Sequence, residues 1–162
     1  MRRASRQNWQ RLRHAAGREI SVVPDGNVAS WTGEHDGYRP VVHRRSVRLD
    51  RAARIVEIID EISGGPHDVR VAFHLGPSVA ASLAEGVASL AWPDAVAPGA
   101  AELTLPAGLE WSLHRGETEP ILGWYSAGLG HRVPAVTLLG QGRSLPGGRL
   151  VTWLKFAGSE TP

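Results

Sequence analysis

The chain has 162 residues, of which 42% are apolar and 21% charged, enough for one soluble domain with a hydrophobic core and too short for two comfortable ones. The net charge of +2 argues against a nucleic-acid-binding protein, and the absence of cysteine excludes disulfides, thiolate metal sites and a Cys nucleophile. No apolar run approaches the roughly 20 residues of a membrane helix, and the basic start of the chain is not followed by the apolar core of a signal peptide.

Residues 1–17 form a polar, basic lead-in carrying Arg2, Arg3, Arg6, Arg11 and Arg13, with Arg18 just beyond. It reads either as a solvated segment or as a contact for an acidic polysaccharide or another domain, since guanidinium groups fit carboxylate and sulfate in two-point fashion. Glu19–Val23 and Val28–Thr32 read as the two strands of a hairpin about the turn Pro24-Asp25-Gly26-Asn27. The later half of Val41 to Leu49 then alternates apolar and basic residues, placing Val47 and Leu49 inward and Arg44 or Arg48 outward. The segment from Arg54 to Ile62 fits a helix through Ile55, Ile58, Ile59 and Ile62. It also fits a strand burying Val56, Ile58 and Ile62, with Asp60 as the exception on that face. Its β-branched density and the Ser63-Gly64-Gly65-Pro66 stop favour the strand.

Val69, Val71, Phe73 and Leu75 alternate in the next strand. Shorter strands are predicted near Val87–Trp92, Ala101–Leu105 and Leu109–Leu113. A Gly- and aromatic-rich loop follows over 116–132, and strands near 134–139 and 149–156 close the chain before a tail at 158–162. Nine or ten short strands, with 19 Gly and 11 Pro to turn between them and no long amphipathic helix, predict an all-β fold: a two-layer antiparallel β-sandwich over 18–157.

Chemistry-bearing residues are few. None of the seven histidines has zinc-site helical spacing, and strand-borne pairs such as His43 and His74 could converge or simply bond across strands. No serine lies in a nucleophile-elbow context. The densest constellation is Glu34-His35-Asp36-Gly37-Tyr38-Arg39. His35 or Tyr38 could abstract a proton beside a carboxylate that Arg39 neutralises, or the loop could satisfy itself, with Asp36 capping the turn and His35 bonding backbone. Of six tryptophans most fall within strands and read as core; Trp124, with Tyr125, lies in the glycine-rich loop and is the best candidate for stacking on a sugar.

Taken in order, Glu34 to Arg39 with His43-Arg44-Arg45-Ser46-Val47, then Ile58 to Gly64, His67 with Phe73-His74-Leu75-Gly76-Pro77, Gly123-Trp124-Tyr125-Ser126 and Leu150-Val151-Thr152, resemble the C-terminal β-domain of the heparinase II/III-like polysaccharide lyases. The resemblance implies a β-sandwich that in full-length relatives follows an α/α-toroid and acts with it on uronate-containing glycans by β-elimination. It also implies that the toroid's catalytic residues and the first strands of the β-domain, where relatives carry metal-site residues, are not among these residues. The chain is therefore expected to hold no cofactor of its own. Its expected partners are a toroid domain or full-length lyase and an acidic polysaccharide, with self-association through an uncovered sheet edge. The alternatives are a free-standing carbohydrate-binding module and a lyase site rebuilt around His35 and Tyr38.

Overall fold

β-branched and aromatic residues at alternate positions, cut by Gly, Pro and Asp turns, fold here as strands throughout; among the described residues there is no helix. The computed structural model describes residues 17–93, 98–144 and 147–158. The basic cluster at Arg2 to Arg13 and Trp9 lie outside them. The strands are antiparallel, as the sequence predicts for a sandwich, and they group into two units.

The first unit is a four-stranded meander of β1 (Gly17–Asp25), β2 (Val28–Tyr38), β3 (Val41–Asp50) and β4 (Ile55–Ile62). The predicted hairpin forms, tightened to Gly26-Asn27, with Gly26 at φ 51° in the left-handed region that favours glycine. β3 and β4 are joined by a turn in which Asp50 accepts the Ala53 N–H at 2.9 Å. The Ile-rich segment is a strand, paired with β3 along its whole length from Asp50↔Ile55 to His43↔Ile62, which engages the N–H and C=O of alternate residues. At its end Ser63 closes the ladder, donating its N–H to the Val42 carbonyl at 2.9 Å and accepting the Val42 N–H at 2.7 Å.

The second unit contains β5 (Asp68–His74), β6 (Ala80–Ala84), β7 (Val87–Ala91), β8 (Ala100–Thr104), β9 (Leu109–Arg115), β10 (Glu117–Thr118), β11 (Ile121–Leu122), β12 (Trp124–Gly128), β13 (His131–Pro134) and β14 (Val136–Arg143). Residues 152–156 of β15 (Arg149–Phe156) complete it. One layer pairs β6, β7, β8 and β15; the other pairs β5, β14 and β9. Their facing sides build the core from Ala88, Leu90, Leu103, Val136 and Leu138, with Phe73 stacked on Trp111 at 5.9 Å between ring centroids. The predicted loop over 116–132 is in fact two small hairpins, β10–β11 and β12–β13, too short for periodicity to reveal.

Two positions test this core. Leu138 is fully buried, so Leu138→Ala is expected to cost about 2–5 kcal/mol through lost contact and a residual cavity. A Cβ at Gly140 would lie 2.6 Å from the Trp111 ring, so Gly140→Ala should cost about 1–3 kcal/mol by overpacking. Denaturant unfolding of both variants checks the pair: an unchanged midpoint for Leu138→Ala would contradict the core packing described, and one for Gly140→Ala the close β14–β9 contact with Trp111.

Candidate functional site

Period-two geometry decides which side chains of the meander share a face. Trp31, Gly33 and His35 of β2 stand opposite Val47, Arg45 and His43 of β3, and Arg45 in turn stands opposite Asp60 of β4. One charged row crosses three strands, and it ends in a carboxylate that is 4% exposed.

Asp60 is held from two sides. Arg45 donates through Nε at 2.7 Å to one carboxylate oxygen and through Nη2 at 2.9 Å to the other, while His43 Nε2 lies 2.6 Å from Oδ1. Burial by itself would raise the Asp60 pKa. The hydrogen bonds from His43 and Arg45, together with their charge, outweigh it and hold the carboxyl below its ordinary value.

That carboxylate dictates the tautomers beyond it. An ionised Asp60 can only accept, so His43 carries its proton on Nε2 and leaves Nδ1 as an acceptor. His35 Nε2, at 3.1 Å, donates to it, and the remaining His35 nitrogen, Nδ1, accepts the Gly37 N–H at 3.3 Å. The two rings meet edge to face at 5.1 Å between centroids. Every ring nitrogen of the pair is thereby engaged in a hydrogen bond within the protein.

Tyr38 is exposed, its ring 5.5 Å from that of His35. Arg39 is turned onto Asp36, with Nε donating at 2.8 Å, and its N–H also reaches the Asp36 carbonyl at 3.1 Å. Within Glu34–Arg39, Arg39 pairs with Asp36 and His35 accepts the Gly37 N–H, while Glu34 pairs with Arg44 and His35 with His43, both on β3. In the second unit Trp124 donates its Nε1–H to the Glu117 carbonyl at 2.7 Å, and the Arg132 guanidinium covers its ring at 4.4 Å, whereas Tyr125 is exposed. His74 bonds Thr137 across strands at 3.0 Å; the ring that meets His43 is His35.

Two features were missed by residue-by-residue reading. Trp31 is not core: it is 39% exposed, and its Nε1–H donates to Glu19 at 3.2 Å. Together with Gly33, His35, His43 and Arg45 it lines a surface groove of about 490 Å³. In the second unit Ser112 and His114 share a face of β9. The His114 ring joins Ser112 Oγ at 2.8 Å to the Glu117 carboxylate at 2.8 Å, bracing the strand end from which β10 departs. Alternation along each strand was the available signal for both; the cross-strand partners were not.

The divalent metal that the family resemblance implies for relatives does not fit the residues described here. Among them no group of three His, Cys, Asp or Glu side chains is set to hold an ion, and the His35–His43 pair is bonded internally.

Comparison with known proteins places these strands in a family. The chain belongs to the heparinase II/III-like family: the family's C-terminal domain matches residues 2–154. No curated protein sequence matches significantly. Among solved structures, the heparinase III BT4657 gene product is similar at 19% identity and a TM-score of 0.66, over 87% of this chain and 21% of that one. Heparan sulfate lyase HepC from Pedobacter heparinus is similar at 14% identity and a TM-score of 0.69, over 90% and 22%. A further heparinase III structure gives 14% identity and 0.67 over the same shares. The chain therefore spans about a fifth of the length of these structures.

The Asp60 network makes a pH prediction. With its folded pKa below the unfolded one, Asp60 contributes stability that is complete above the unfolded value, about 3.9, and is lost as pH falls through the folded value. Asp60→Asn should flatten that part of the acid limb in a denaturant series. At neutral pH it should also cost about 3 kcal/mol, the lower end for breaking a buried pair, because Arg45 is half-exposed and hydrates when abandoned. An acid limb identical to that of the unmodified protein would refute the assignment.

Proposed function

We propose that this chain is the β-sandwich portion of a polysaccharide lyase acting on uronate-containing glycans and that it performs no elimination alone. The observation that carries the reading is the match to the family's C-terminal domain over residues 2–154, in a chain that spans about a fifth of similar structures described as heparinase III and heparan sulfate lyase. β-Elimination needs a base with a free lone pair for the proton α to the uronate carboxylate, an acid for the leaving oxygen and a cation for the carboxylate. The two imidazoles of the groove spend their nitrogens on each other, Asp60 and Gly37, and Arg39 is committed to Asp36. These bonds support a structural role for the His35–Arg39 segment. On this reading the chain's partners are a toroid domain and an acidic glycan, Tyr125 beside Trp124 is a point of glycan contact, and no cofactor is assigned to the chain.

Incubated alone with heparan sulfate, chondroitin, hyaluronan or alginate, the chain is expected to produce no ultraviolet absorbance from unsaturated uronate. A rise that His35→Ala or Tyr38→Phe abolishes would overturn the reading and place a working lyase site in the first unit.

A further inference from the structure

We propose that the groove beside Trp31 is a binding site for an uncharged pyranose ring. The groove, about 490 Å³, falls within the roughly 300–1,000 Å³ range of small-ligand sites. Its wall is an indole that a solvent-facing strand position would not otherwise favour: Trp31 is 39% exposed, and an aromatic face left in water carries an unrecovered hydration cost. The indole is also fixed in place, because Nε1 donates to Glu19 at 3.2 Å, so little rotational freedom is left to lose when a ring stacks on it. Gly33, between Trp31 and His35 on the same face of β2, contributes no side chain and leaves the floor of the groove low.

The polar groups at the rim suit vicinal hydroxyls, each of which donates and accepts. Glu19 bonds Trp31 through Oε2, and its other carboxylate oxygen has no protein partner among the described residues. Arg45 spends Nε and Nη2 on Asp60, and its Nη1 donors have no partner among them either. An acceptor and a donor thus border a stacking face. Charge selects the ligand further. Of the lining charges, Glu34 is balanced by Arg44 and Arg45 by Asp60, while Glu19 adds a negative charge, so among the described residues the groove has no cationic surplus for sulfate or uronate. A neutral ring, such as an N-acetylhexosamine or a hexose, is the chemistry that remains. This inference stands independently of the lyase reading, since its test reads binding and not elimination.

The test is a ¹H–¹⁵N titration of the full chain with N,N′-diacetylchitobiose and with cellobiose, following the Trp31 indole N–H, which Trp31→Phe identifies by its loss. The expected result is a saturable shift of that resonance with at least one disaccharide, unchanged by added salt and weakened at least about tenfold, 1.4 kcal/mol, by Glu19→Gln. Glu19→Gln keeps the side-chain shape, so its amide spectrum separates lost binding from lost folding. No movement of the Trp31 signal with either sugar would overturn the proposal. So would a stronger, salt-sensitive shift with a heparin tetrasaccharide, which would make the groove an anion site.

Discussion

A carboxylate with almost no access to water, Asp60, is the constraint on which the first unit depends. An ionised group there is tolerable only because Arg45 grips both oxygens and His43 adds a third donor. The consequences spread by bonding rules alone. Asp60 sets the tautomer of His43, His43 sets that of His35, and His35 holds the backbone of Gly37, next to the bulge where β2 and β3 slip register between His35 and Tyr38. A run whose residue types suit acid–base chemistry forms a continuous brace across three strands.

The second unit is stabilised differently. Its two layers meet through apolar side chains, a Phe73–Trp111 pair stacks across β14 within one layer, and its close approaches are admitted by glycine: Gly140 against the Trp111 ring, and Gly123 where a Cβ would come within 2.5 Å of Arg115 Cα. Gly123 also takes φ 72° and accepts the Gly116 N–H at 2.8 Å, pinning the start of the β12–β13 hairpin on which Trp124 and Tyr125 sit. The hairpin's exposure of Tyr125 and its enclosure of Trp124 both follow from that anchoring, since the Glu117 carbonyl draws the indole N–H inward.

The two tryptophans singled out by function exchange places between sequence and structure. Trp124, in a glycine-rich loop, reads as exposed and is half-covered by Arg132; Trp31, in a strand, reads as core and lies open beside the groove. A strand position specifies a face but not whether that face is covered, which depends on the neighbours the chain brings to it.

Residue order alone determined the all-β class, the first hairpin, the choice of strand over helix for Ile55–Ile62 and the family, because alternation, β-branching and turn residues act locally and motif order survives without coordinates. It even marked Asp60 as the one misfit on an apolar face. What it could not supply was the partner of that misfit. Asp60 meets Arg45 and His43 only through the β3–β4 register, and Glu19 meets Trp31 only through the hairpin. Cross-strand contacts join residues far apart in the chain, so the brace, its tautomers and the groove were decided by tertiary structure.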